Sequence, residues 1–232
     1  AVPGARVLRA DRLQAAPAGL RFTLVWEGRE AEIGVRMVAH FNVSNLIAVA
    51  GALLARGIAF DELPPVLGRL APPQGRMQLV GGVCEPLVVI DYAHSPDALA
   101  KVLEALRGTV HSRRGRLVCV FGCGGDRDPG KRPMMGAIAE AHADVVIVTD
   151  DNPRTEASAD ILQQIVGGMT YRENVLVIAD RAEAIQHALA EADPGDVVVI
   201  AGKGHEDYQI VGRDVLPFSD CDTVRRALGE TA

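Results

Sequence analysis

The chain has 232 residues, a formal net charge of −6, 48% hydrophobic and 23% charged residues, the balance of a folded globular protein long enough for one large core or two smaller ones. Its longest apolar run, residues 46–55, falls short of the roughly 20 residues a membrane helix needs, and no basic segment followed by an apolar stretch opens the chain, so neither membrane insertion nor a secretory signal is expected. No basic patch interleaved with aromatics is present, so nucleic acid is not an expected partner, and four scattered cysteines without a CxxC fit a reduced, cytoplasmic chain rather than a disulfide scaffold or a zinc site.

The chain opens at Ala1, without an initiator methionine and inside strand-forming sequence, and is therefore expected to be a fragment. Residues 1–36 carry short alternating runs, such as 20–26 followed by the turn Glu27-Gly28-Arg29, and predict antiparallel strands with one wet face. Residues 42–55 predict a buried helix, and 60–70 a shorter one containing Pro64-Pro65. The Ala71-Pro72-Pro73-Gln74-Gly75 break places a domain boundary there, giving domains 1–72 and 73–232. Charge shifts across it, from eight arginines against six acids before the boundary to 16 basic against 24 acidic residues beyond.

After the boundary the pattern becomes regular. Apolar runs of strand length lie at 87–90, 117–121, 145–148, 175–178 and 197–200, separated by helix-like stretches at 95–106, 131–142, 159–169 and 181–190. Continuous apolar strands alternating with amphipathic helices predict an α/β fold, a doubly wound, mostly parallel sheet covered on both faces. Val211-Gly212-Arg213-Asp214 reads as a hairpin turn, and 220–228 as a last helix.

In such sheets ligands sit where loops leave the carboxyl ends of the strands. Four polar clusters fall there: Asp91-Tyr92-Ala93-His94-Ser95-Pro96-Asp97, Gly122-Cys123-Gly124-Gly125-Asp126-Arg127-Asp128, Asp150-Asp151-Asn152-Pro153-Arg154 and Gly202-Lys203-Gly204-His205-Glu206. Each also has a purely structural reading. Ser95-Pro96 is an ordinary helix start that Asp91 and His94 can support. Gly125-x4-Gly130-Lys131 imitates a phosphate-binding loop, but Arg132 stands where that motif needs a hydroxyl, leaving a glycine-rich turn that receives an anion through backbone N–H groups and Arg127. Arg154, beside a rigid proline, suits a planar carboxylate. The glycines around Lys203 read equally as a hinge. Four polar loops on one rim favour a site over four separate structural accidents.

The strings DYAHSPDAL, FGCGGDRDPGKRP, TDDNPRTE and AGKGHEDYQIVG, with HFNVSN upstream, closely resemble the Mur ligases, in the branch that adds a diamino acid during peptidoglycan synthesis. The resemblance covers essentially the whole chain. It implies that residues 1–72 are the end of the family's central ATP-binding domain and 73–232 its C-terminal domain. It further implies an ATP- and magnesium-dependent amide ligase, cytoplasmic and monomeric, that activates UDP-N-acetylmuramoyl-L-alanyl-D-glutamate as an acyl phosphate and joins meso-diaminopimelate to it. The family's phosphate loop, carbamylated lysine and main magnesium ligand have no counterpart here, and no Gly-Lys-Thr or Gly-Lys-Ser occurs, so the chain alone is expected to be inactive.

Carried onto this sequence, the resemblance implies nucleotide contacts from Asn45, Arg76, Asp91 and His94, and an amino-acid pocket from Arg127, Asp151, Asn152, Pro153, Arg154, Gly202 and Glu206. For Asn45 a buried helix-start cap remains the alternative, and for Arg76 a hinge anchor. His205 is the one candidate catalytic base, with a satisfied loop histidine as the competing reading; Lys203 is unplaced. A lysine-adding ligase and a non-catalytic module that binds a diamino acid are the rival functions.

Overall fold

The computed structural model describes residues 6–82, 84–171 and 175–229. The chain divides into two compact units, Ala1–Pro72 and Pro73–Ala232. The first holds an antiparallel sheet of β1 (Leu8–Ala16), β2 (Gly19–Trp26) and β3 (Arg29–Val35), then α1 (Phe41–Ala55), a 3-10 turn at Phe60–Glu62 and α2 (Leu63–Leu67). Glu27 and Gly28 both take positive φ, so the two-residue loop joining β2 to β3 follows the twist of its strands. Leu20, Phe22, Leu24, Ile33 and Val35 face a core closed by Val43, Leu46 and Ala50 of α1 and by Phe60, Leu63 and Leu67. The central strand has no wet face, because Thr23 and Val25 are buried as well and only Arg21 is exposed. Pro64 and Pro65 confine α2 to five residues, tolerated there because they occupy its first turn.

The second unit is built on a six-stranded sheet of order β4-β5-β9-β6-β7-β8, from β4 (Gln78–Gly81), β5 (Leu87–Asp91), β6 (Leu117–Phe121), β7 (Val145–Val148), β8 (Val175–Val177) and β9 (Val197–Ala201). All neighbours run parallel except β4, an antiparallel edge strand. The helices are α3 (Pro96–Arg113), α4 (Lys131–His142), α5 (Ser158–Val166), α6 (Arg181–Ala190) and α7 (Asp220–Ala227), and a hairpin of β10 (Tyr208–Val211) and β11 (Asp214–Pro217) precedes α7. Val88, Ile90, Val118, Val120, Ile147, Val198 and Ile200 pack on Ala184, Ile185, Ala188 and Leu189 of α6 and Cys221 and Val224 of α7. The other face receives α3 against β6 and β9, and α4 and α5 against β7. Alternate side chains of each strand thus enter two apolar layers, which is why the strand sequences are apolar without interruption.

Further differences from the pattern of the sequence lie in α3, β4 and the start of α1. Helix α3 runs through Gly108 to Arg113 because Thr109 and Val110 continue its buried stripe, and it ends where Arg114 turns left-handed at φ 59°. β4 is too short, at four residues, to stand out beside the preceding Pro-rich break. Asn42 rather than Asn45 is the buried residue at the start of α1: its side chain donates to the Val38 carbonyl at 2.7 Å, while Asn45 is exposed.

One ion pair lies inside the unit and ties its parts together. Arg181 and Asp220 are fully buried, with Nε and Nη2 of Arg181 donating to the two carboxylate oxygens at 2.7 and 2.8 Å. Arg181 also donates to the carbonyls of Asp150 and Ala201, at the ends of β7 and β9. Arg181→Met strands the buried Asp220 carboxylate and is expected to cost about 3–5 kcal/mol, read from the urea midpoint. Adding Asp220→Leu is expected to regain roughly half of that loss; a double variant no more stable than the single would mean that loop packing, not the stranded charge, carries the effect.

Candidate binding site at the carboxyl edge of the sheet

The topology itself makes a crevice. Helices α3, α4 and α5 carry the chain outward from β5 to β8, and α6 returns it to β9, which inserts between β5 and β6. Asp91, Ala201 and Phe121 are partners on one rung of the sheet, so the loops after β5, β9 and β6 leave side by side, with the loop after β7 next to them. This reversal of direction is where open α/β sheets bind ligands.

Lys203 lies beneath the rim, wholly inaccessible to solvent. Its Nζ donates to Asn152 Oδ1 and to the Tyr208 carbonyl, both at 2.9 Å, and pairs with Asp151 Oδ1 at 3.4 Å and Glu206 Oε2 at 3.9 Å. Burial pushes the Lys203 ammonium below its ordinary pKa, against the pull of Asp151 and Glu206. Asn152 completes the knot: its Nδ2 donates to Glu206 Oε2 at 3.1 Å and its Oδ1 accepts from Ile210 N–H at 2.9 Å. Gly202, at φ 117°, lets the chain leave β9 beside the Asp151 carboxylate.

The loop after β6 is pressed onto the loop after β7. A Cβ on Gly122 would meet the Thr149 carbonyl oxygen at 2.1 Å, and one on Gly125 the Pro153 oxygen at 1.9 Å, so these glycines are demanded by backbone contact. Gly125 N–H donates to the Asn152 carbonyl at 2.9 Å. The Arg154 guanidinium reaches back, donating from Nη1 to the Gly125 carbonyl at 2.8 Å. Arg154 has φ 52°, and its backbone is bridged to the hairpin through Ile210 O and Gly212 N–H. Arg127 is exposed and lies with Arg154 around Gly124. Arg132, at the position that spoils the phosphate-loop motif, is fully buried and donates to Glu156, Gln164 and the Gly124 carbonyl. It braces the loop from below.

A second cluster centres on Tyr92. The Arg76 guanidinium stacks over its ring at 4.7 Å, and the rings of His94 and His205 lie 4.6 and 5.4 Å from it. The arrangement depends on a backbone crossing, since a Cβ on Gly75 would lie 2.2 Å from His205 N and one on Gly204 2.7 Å from Tyr92 Cβ. Asp91 is buried, its two oxygens accepting from Met77 and Ala93 N–H at 2.8 and 2.9 Å, and burial raises its pKa. His94 Nδ1 is 2.7 Å from the Tyr92 carbonyl oxygen, and Lys131 donates to the His94 carbonyl at 2.8 Å. His205 is exposed, and among the described residues no hydrogen bond orients its ring. The Cys119 and Cys123 thiols are buried and pushed up to about 12, so they pack as apolar groups.

The structure therefore brings Arg127, Asp151, Asn152, Pro153, Arg154, Gly202 and Glu206 to one stretch of rim, and Arg76, Asp91, His94 and His205 to the part next to it. Asn45 belongs to the other compact unit, where its Nδ2 donates to Asn42 Oδ1 at 3.3 Å. Sequence reasoning put Lys203 and Tyr92 in the polar loops without a role, met Arg132 only as the residue that spoils the phosphate-loop motif, and missed Arg181. The rarity of lysine, at three residues, was the one available signal for Lys203.

A profile of the family described as "Mur ligase, glutamate ligase domain" matches residues 75–204. The chain is 52% identical over 210 residues to a protein of Ectopseudomonas mendocina named "UDP-N-acetylmuramoyl-L-alanyl-D-glutamate--2,6-diaminopimelate ligase", covering 90% of this chain and 42% of that one. A protein of the same name from Chromobacterium violaceum is 49% identical over 221 residues, covering 95% and 44%. A solved structure of a ligase of that name superposes with a TM-score of 0.79 at 40% identity, over 96% of this chain and 45% of the other. A folylpolyglutamate synthase from Thermotoga maritima shares the fold at a TM-score of 0.64 and 19% identity, over 86% of this chain and 44% of the other. The chain spans under half the length of the relatives it matches. With a matched region that embraces all four rim loops up to Gly204, the chain belongs to the Mur ligase family.

Proposed function

We propose that this chain is the acceptor-binding part, with some of the nucleotide-binding part, of an ATP-dependent ligase that joins meso-diaminopimelate to UDP-N-acetylmuramoyl-L-alanyl-D-glutamate in the cytoplasm, for peptidoglycan synthesis. The observation that carries this reading is one guanidinium, Arg154, on the same rim as two carboxylates, Asp151 and Glu206. Diaminopimelate presents an ammonium and a carboxylate at each end. Arg154 suits the distal carboxylate, and Asp151 and Glu206 suit the distal ammonium. L-Lysine has no anion there for Arg154, and a site built around a polar group rejects an analogue lacking it by as much as ~10⁴-fold. The names of the relatives at about 50% identity support the same substrates.

In this reading a carboxylate oxygen of the D-glutamyl end attacks the γ-phosphorus of ATP, and the bond to ADP breaks. The acceptor's amine nitrogen then attacks the acyl-phosphate carbon; the C–N bond forms, the bond to phosphate breaks and the nitrogen gives up a proton. Residues of this chain hold the amine in line and exclude water, which supplies much of the rate. Arg76, its guanidinium over the Tyr92 ring at 4.7 Å, offers charge to a nucleotide, with Asp91 and His94 as further contacts. Magnesium accompanies ATP in this proposal; among the described residues no group of three or more His, Cys, Asp or Glu converges to hold a metal, and its ligands are not assigned to this chain. Among the described residues no helix is long and apolar enough to cross a membrane.

The test is phosphate release by the full-length gene product with ATP, magnesium and UDP-N-acetylmuramoyl-L-alanyl-D-glutamate. Turnover with meso-diaminopimelate and not with L-lysine is expected. Turnover with lysine alone would sink the pocket argument, and no turnover with either would favour a binding module. Arg154→Ala is expected to lower kcat/KM for diaminopimelate by about 10²-fold or more while the KM for ATP changes little; equal losses on both substrates would count against the assignment. His205→Gln separates the two readings of that residue: a pH–rate profile without its acid-side inflection identifies a base, and an unaltered profile identifies a loop histidine packed on Tyr92.

A further inference from the structure

We infer that Lys203 sets the charge of the acceptor pocket, as a buried specificity-determining residue that leaves one net negative charge from Asp151 and Glu206 for one ammonium of the acceptor. The inference rests on the acceptor reading above and goes beyond it, because Lys203 makes its contacts beneath the rim and touches the acceptor only through its neighbours.

The argument begins with the three N–H donors of a single ammonium. Two are used on neutral oxygens, Asn152 Oδ1 and the Tyr208 carbonyl, each at 2.9 Å, and these alone suffice to clamp the loops. The third faces carboxylates, Asp151 at 3.4 Å and Glu206 at 3.9 Å. Asp151 Oδ1 is itself buried with no hydrogen-bond partner among the described residues, so the Lys203 charge is what compensates it.

Counting charges gives the specificity. Asp151 and Glu206 bring two negative charges and Lys203 one positive, so this triple presents a single net negative charge. Arg154 adds a single positive charge on the same rim. The deeper Arg181 is neutralised by Asp220, and two further charges of opposite sign offset each other, exposed Arg127 beside Gly124 and Asp150, which accepts from the Ser158 hydroxyl at 2.6 Å. The pocket is therefore neutral overall with its charges separated, the complement of a zwitterionic end group rather than of a lone ammonium. Removing Lys203 makes it net negative and shifts its complement toward a cation.

The experiment compares kcat/KM for meso-diaminopimelate and L-lysine in the full-length gene product and in Lys203→Met, with the KM for ATP as control. Lys203→Met is expected to lower the diaminopimelate-to-lysine ratio by about ten-fold or more, with the KM for ATP within about two-fold of the parent. Lys203→Met with Asp151→Asn restores the count to one net negative charge and is expected to recover most of the ratio. Parallel losses on both acceptors, leaving the ratio unchanged, would reduce Lys203 to a loop clamp and overturn the inference. If Lys203→Met does not fold, the double variant decides alone: a ratio within about three-fold of the parent supports charge setting, and a collapsed ratio refutes it. A parent protein that does not prefer diaminopimelate overturns the acceptor reading itself, an outcome visible before any variant is made.

Discussion

A single ammonium buried under the rim is the constraint on which the site depends. Taking Lys203 out of water costs several kcal/mol unless its donors are satisfied, and only partners converging from several segments satisfy them. Asn152 and Asp151 come from the loop after β7, Glu206 from the loop after β9, and the Tyr208 carbonyl from the hairpin. None of these segments can move without stranding the charge. Arg132 and Arg181 repeat the device on either side, one under the glycine-rich loop and one under the ends of β7 and β9. Three inaccessible cations thus hold irregular backbone in place, and a recognition surface gains the rigidity of a core without being apolar.

The parallel sheet supplies what those cations act on. In-register pairing of β5, β9 and β6 brings three loops to one edge, and the return of the chain through α6 opens the crevice between them. Glycines at 122 and 125 then allow backbone to lie on backbone, which gives the rim its close spacing. Function in this family is located by topology first and by side chains second.

Much of this was legible in the chain. The strands at 117–121 and 145–148 and the helices at 131–142 and 181–190 were marked by periodicity to the residue, because each begins directly after glycine or a charged residue. Strand polarity alone then put the four polar loops on one rim. What escaped were features set by partners distant in sequence. Helix α3 outlasts Gly108 because its far end is packed, and β2 is dry on both sides although its alternation reads as half-exposed. Lys203 reaches Asn152 across about fifty positions, and no local pattern announces a contact of that range. Asn42 and Asn45 are indistinguishable by spacing within HFNVSN; only the fold decides which one turns inward.

The hairpin of β10 and β11 has a consequence of its own. Two strands with Val211, Val215 and Leu216 open to water bury too little to persist alone. Their order is borrowed from Lys203, from Asn152 and from the two backbone hydrogen bonds between Arg154 and the strand. Opening of the hairpin and release of Arg154 are therefore one event, and the amide protons of Arg154, Ile210 and Gly212 should exchange with solvent at a common rate. A molecule held by Arg154 would slow that exchange, so the hairpin amides of Ile210 and Gly212 would report its arrival.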